Sequence, residues 1–231
     1  TYIAARMKNE GRVVASDKLR EMDLEVIAPL PELGAVATNA VWEATYNRLA
    51  DLIRTHQSTL IFCNSRRLTE RVAVRLSERL GDDQVAAHHG SLSRRHRFQT
   101  EARLKAGEIK VVVATGSLEL GIDVGSIDLV CQIESPRSIA VAVQRIGRSG
   151  HHLGQTPKGR FVALTQDDLV ECGAIVRAIR EGRLDAIEIP RNCLDVLAQQ
   201  VVAAAACEEW AEEDLYRLCR QSFCYRDLSG G

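Results

Sequence analysis

From residue 24 onward, short β-rich runs alternate with stretches of helical periodicity, and this alternation constrains the fold more than any other feature of the chain. The runs are LEVIA (24–28), TLIFC (59–63), QVAAH (84–88), KVVVA (110–114), IDLVCQI (127–133) and RFVAL (160–164). Near-continuous apolar runs separated by helices are the mark of a parallel sheet covered by helices on both faces. Between the first two runs, Trp42, Tyr46, Leu49 and Ile53 form one apolar helical stripe; between the next two, Leu68, Val72, Leu76 and Leu80 form another, with Gly81 as its stop. A further helix is announced by Thr165 with Asp168 three residues on, a capping-box spacing, and closed by Gly182.

These patterns predict one α/β domain over 23–188. Residues 1–22 are weakly periodic and read as a linker or the end of an upstream domain, so that a chain starting at Thr1 is expected to be an excised piece. After Pro190 strand patterns give way to helical ones. Leu194, Leu197, Val201 and Ala205 recur at helical spacing, followed by Leu215, Leu218 and Phe223. Residues 189–231 are therefore expected to begin a second, helical unit, which either packs on the α/β domain or leaves apolar surface exposed.

Composition excludes some partners. With a net charge of −1, overall charge favours neither nucleic acid nor membrane, so any electrostatic signal lies in its distribution. Seven cysteines, an odd number without CxxC spacing, point to reduced thiols and a cytoplasmic protein, with Cys63 and Cys131 as packing residues. No apolar stretch approaches the ~20 residues that a membrane helix needs.

In an open parallel sheet, ligands gather beyond the carboxyl ends of the strands. The loops there read NSRR (64–67), HGSLSRRHR (89–97) and TGSLELGID (115–123), with ESPRS (134–138) leading into AVQRIGRSGH (142–151). Glycine, serine, threonine and arginine bind phosphate through backbone N–H, hydroxyl and guanidinium groups. Two windows lack acids entirely, 84–100 and 135–166. The second carries Arg137, Arg145, Arg148, Lys158 and Arg160, and together they predict one basic face that binds a polyanion. The His88–His89 and His151–His152 pairs do not read as a metal site, since neighbouring residues on a strand point apart and no partner recurs at ligand spacing.

Taken in order, TLIFCNSRR, AAHHGSLS, VVVATGSLELGID and QRIGRSG resemble the four motifs of the second RecA-like domain of superfamily 2 helicases. ATGSLELGIDVGSIDLV, the ESPRS before the arginines and LDVLAQQVVA after them look more narrowly like the large helicase-related (Lhr) family, in which a winged helix follows. The resemblance covers the chain from about Asp23 to its end and implies a RecA-like α/β fold with a winged-helix segment behind it.

It further implies a division of labour. In such helicases ATP and Mg2+ lie between two RecA-like domains: the first supplies the P-loop and the metal-binding acids, the second supplies arginine fingers. This sequence holds neither GxxxxGK[ST] nor a DExH-like tetrapeptide, and so looks like half of an ATPase that needs the upstream RecA-like domain of the same protein. By the resemblance Arg148 is the finger and Arg145 assists it; Gln144, Gly121 and Asp123 contact the nucleotide or the facing domain. Ser65, Arg66, Gly90, Thr115 and Gly116 match positions that hold the backbone of single-stranded nucleic acid, DNA before RNA or a hybrid. Many relatives carry a further arginine three residues after Arg148, where this chain has His151, which leaves open whether one finger suffices.

The leading expectation is an ATP-dependent helicase, unwinding 3′ to 5′ in DNA repair, with this piece inactive alone. The alternative is a non-enzymatic nucleic-acid-binding scaffold or degenerate helicase half. A dinucleotide-binding enzyme fails because no strand is followed by GxGxxG.

Overall fold

The computed structural model describes residues 21–119, 125–150, 156–186 and 189–229. Six strands form one parallel sheet: β1 (Asp23–Ile27), β2 (Thr59–Phe62), β3 (Val85–His88), β4 (Val111–Ala114), β5 (Leu129–Ile133) and β6 (Lys158–Val162), in the order β1-β6-β5-β2-β4-β3. The helices of this unit are α1 (Asn39–Thr55), α2 (Arg66–Leu80), α3 (Arg94–Lys105), α4 (Ile139–Ile146) and α5 (Gln166–Arg180).

Side chains alternate across each strand, so both faces of the sheet are apolar and both are covered. Ile61, Val111, Val113, Leu129 and Cys131 face a core completed by Trp42, Tyr46, Leu49 and Ile53 of α1 and Val72 and Leu76 of α2. Leu60, Phe62, Val112, Val130 and Phe161 face a second core made with Leu104 of α3, Ala142 and Ile146 of α4 and Ile175, Val176 and Ile179 of α5. Burial pushes the Cys131 thiol up to about 12 and raises Cys63 as well, so both are inert packing groups.

Each helix starts at the carboxyl edge of the sheet behind a hydroxyl cap. Ser65, Ser93, Ser138 and Thr165 accept from the backbone N–H three residues on, satisfying one orphan donor apiece. The Thr165–Asp168 box closes only one way. Thr165 accepts from Asp168 N at 3.1 Å, but the Asp168 carboxylate accepts from Leu164 N and Ser135 N instead, tying α5 to the loop after β5. Gly182 at φ +71° ends α5 in a Schellman turn, Gly182 N donating to Ile179 O and Arg183 N to Ala178 O.

The chain divides into two compact units, one ending at Asp185 and the other running on from Ala186. The second holds α6 (Leu194–Cys207), α7 (Glu212–Arg220) and a 3₁₀ turn, Phe223–Tyr225. The Tyr225 hydroxyl donates to Cys193 O at 3.0 Å and Tyr216 to Leu228 O at 2.8 Å. Leu194, Val196 and Val202 of α6 stand exposed.

Candidate functional site

Because every strand runs the same way, the segments after β2, β3, β4 and β5 lie together at the carboxyl edge. Ser65 and Arg66 open α2 there, both exposed; Ser65 also caps that helix through Leu68 N at 3.2 Å. Gly90 follows β3, exposed, with nothing within 4 Å of the space a Cβ would take. Thr115 and Gly116 follow β4 and lead into a 3₁₀ turn, Gly116–Leu118. Thr115 N donates to His88 O at 3.2 Å, which joins this turn to the end of β3. Gly121 and Asp123, like His151 and His152, lie outside the described residues.

His88 is fully buried beneath this edge. Its Nδ1 pairs with Ser117 Oγ at 2.8 Å and its Nε2 with Glu101 Oε1 at 2.9 Å, so β3, the 3₁₀ turn and α3 meet at one imidazole. Burial holds its pKa below the ordinary histidine value, with the Glu101 carboxylate opposing. His89 pairs through Nε2 with Glu70 of α2 at 2.5 Å. No group of three or more potential metal-ligating side chains occurs among the described residues.

The arginine segment is built differently. α4 starts at the carboxyl edge behind Ser138 and runs back along the sheet. Its far end is anchored: Ser149 bridges Ile127, and Ser149 Oγ donates to Ile146 O at 2.7 Å while accepting from Lys158 N at 2.9 Å. Gln144 is exposed on α4 and Arg148 half-buried past its end, its N–H donating to Arg145 O at 3.0 Å.

Arg145 itself is 8% exposed. Its Nε donates to Glu119 Oε1 at 2.7 Å, its Nη1 to Gln132 Oε1 at 2.6 Å, and its Nη2 also to Glu119. The guanidinium lies over the Phe62 ring, 5.1 Å from its centroid. Gln132, on β5, is 2% exposed and reaches Asn64 Oδ1 through Nε2 at 3.4 Å. None of Asn64, Glu119, Gln132 or His88 carries a spacing signal that would have marked it.

Two expectations from the sequence need correction. Arg94, Arg95 and Arg97 do not sit in a loop but in the first turn of α3, because Ser93 caps it. Nor do the cations of the second acid-free window form one basic face. Lys158 and Arg160 start β6 at the opposite edge of the sheet, Lys158 lying 3.6 Å from Asp128 and Arg160 3.0 Å from both Asp23 and Glu25; Arg145 is paired with Glu119. A window without acids along the chain is not one in space.

A model of the helicase conserved C-terminal domain matches residues 44–152, and a model of the large helicase-related protein winged helix domain matches 177–231. The ATP-dependent helicase Lhr-Core of Methanothermobacter thermautotrophicus is 46% identical over 226 residues, which is 96% of this chain and 26% of that protein. The Lhr helicase/uracil glycosylase of Escherichia coli is 35% identical over 261 residues, 94% of this chain and 17% of that protein. Among solved structures, Mycobacterium smegmatis helicase Lhr bound to ssDNA and AMP-PNP superposes with a TM-score of 0.84 at 40% identity, covering 91% of this chain and 28% of that one. The chain thus spans about a quarter of the length of the Lhr-Core relatives it matches. With its parallel six-stranded sheet, helices on both faces and the sequence that follows, the chain belongs to the large helicase-related family of superfamily 2 helicases, and carries the second RecA-like domain and winged-helix sequence of that family.

Proposed function

We propose that this chain is the finger-bearing half of an ATP-dependent helicase motor. Arg148 enters a nucleotide site held mainly by an upstream RecA-like domain with its P-loop and Mg2+, and on the family resemblance Gln144, Gly121 and Asp123 contact the nucleotide or the facing domain. Ser65, Arg66, Gly90, Thr115 and Gly116 hold the backbone of single-stranded DNA without reading bases. The piece is inactive alone, since it has no P-loop to place the phosphates. Unwinding 3′ to 5′ and a role in DNA repair are proposed on the family resemblance. Seven free thiols fit a reducing, cytoplasmic setting, and no described helix is long and apolar enough to cross a membrane.

The observation that carries this reading is the anchored end of α4. Ser149 is held by Ile127, ahead of β5, and by Lys158 at the start of β6, and this seats the segment that carries Arg148. An arginine that stabilises developing phosphate charge needs that fixity, and such groups are worth roughly 10³–10⁵ in rate. The M. smegmatis relative, solved with ssDNA and AMP-PNP, supports a shared nucleotide and single-strand chemistry. The test is to assay ATP turnover of the purified 231-residue chain beside the full-length protein, each with single-stranded DNA. Turnover only in the full-length protein is expected; turnover by the chain alone would sink the half-motor reading.

A further inference from the structure

We infer that Arg145 is a positioning residue rather than a second finger, and that the hydrogen-bonded row Asn64–Gln132–Arg145–Glu119, buried at Gln132 and Arg145, couples the backbone-contacting loops to the end of α4, which Arg148 follows. The inference rests on the finger reading above and concerns how nucleic acid reaches that finger.

Arg145 is already committed. Three of its five N–H groups are donated inward and its face covers Phe62, so reaching a phosphate would leave Glu119 and Gln132 uncompensated in a poorly solvated place. Its partners are committed as well. The Gln132 amide is oriented by Nε2, which donates to Ile133 O at 2.8 Å and Glu134 O at 3.2 Å, leaving Oε1 for Arg145. The Glu119 side chain folds back over the turn: a Cβ on Gly116 would stand 2.9 Å from Glu119 Oε1, so a larger residue there would press on the carboxylate that Arg145 holds. Asn64 adds the third loop, its Nδ2 donating to Ser135 O at 2.9 Å and its Oδ1 facing Gln132.

The row therefore runs from the carboxyl edge to the last turn of α4. At the carboxyl edge it touches the residues next to Ser65 and Thr115; along α4 it grips the turn whose carbonyl receives Arg148 N. A phosphate that draws the 115–119 turn outward pulls on Glu119, then on Arg145, and so on the backbone that carries Arg148. Bonded chains of this kind transmit a displacement because they hold discrete arrangements rather than deforming freely.

The experiment is steady-state ATP hydrolysis by the full-length protein, with and without single-stranded oligothymidine, for Glu119→Gln, Gln132→Met and the double variant. Hydrolysis without DNA and the KM for ATP are expected to stay within about twofold. DNA-stimulated kcat should fall at least about tenfold in each single variant, and the double variant should be little worse than either, as for residues acting through one path. Stimulation retained in both single variants overturns the coupling. So does an equal loss with and without DNA, the signature of simple structural damage. A thermal melt accompanies each variant, and if Glu119→Gln is unfolded at the assay temperature, Gln132→Met, which removes no charge, decides alone. Arg148→Ala separates the two readings. Its near-normal turnover would remove the finger and the coupling together, whereas its loss alongside intact stimulation in the other variants removes the coupling only.

Discussion

His88 and Glu101 meet at 2.9 Å beneath the carboxyl edge, a fully buried imidazole against a carboxylate from the helix behind it. Burial lowers the His88 pKa in the fold, Glu101 works against that, and Arg97 adds to it. A histidine depressed in the fold is neutral there while the unfolded chain takes up a proton near the ordinary value of 6.5. Its contribution to stability is therefore present above that value and lost as pH falls below it. Urea unfolding of the chain at pH 7 and pH 5 should show a lower midpoint at pH 5, and His88→Asn should shrink that difference. An unchanged difference would assign the acid sensitivity to other groups.

Gly159 of β6 and Gly173 of α5 should respond oppositely to alanine. A Cβ on Gly159 would stand 2.9 Å from Ile146 Cγ1 and 3.0 Å from Leu24 Cδ2, both buried, so Gly159→Ala should cost about 1–3 kcal/mol through overpacking. Nothing lies within 4 Å of the corresponding point on Gly173, exposed in mid-helix, so Gly173→Ala should stabilise by about 0.5–1 kcal/mol. Denaturant midpoints measure both. Equal shifts would mean that the approach of α4 to β6 is looser than described.

Glu134 ends β5 with a left-handed backbone, φ +61°, and its carboxyl is raised above the ordinary range by burial first and by Asp168 second. The fold therefore favours its protonated form, and stability falls as pH rises through the window above 4.5. Glu134→Gln, which keeps an acceptor for Asn64 Nδ2, should raise the melting temperature at pH 7 and give no gain near pH 4. A gain at both pH values would point to backbone relief instead of charge.

The central strands β2, β4 and β5 were legible because strands buried on both faces must be apolar throughout, and α1 and α2 because each shows one clean stripe. α3 was not, since it buries only Thr100 and Leu104 and the rest of RRHRFQTEARLK is solvated. Parallel topology made the carboxyl-edge loops readable as a site, because strand direction alone brings them together. The partners that tune it were invisible. Glu119 and Arg145 are 26 residues apart, Gln132 and Asn64 68, Arg160 and Asp23 137, and no local periodicity encodes such pairs.

Contact with nucleic acid should be electrostatic and indifferent to base. Arg66→Ala in the full-length protein should weaken binding of single-stranded DNA evenly across sequences and lower the slope of log affinity against log salt by about one, while Thr115→Ala should weaken binding with little change in slope. A loss confined to particular sequences would mean that these loops read bases.

For the proposed finger at Arg148 the most direct measurement is kcat for DNA-stimulated ATP hydrolysis by full-length protein carrying Arg148→Ala. Charge that develops only in the transition state should be felt in kcat and not in nucleotide binding, so kcat should drop by about 10³ or more while the KM for ATP changes little. A kcat within a few fold of the unaltered protein would contradict the account.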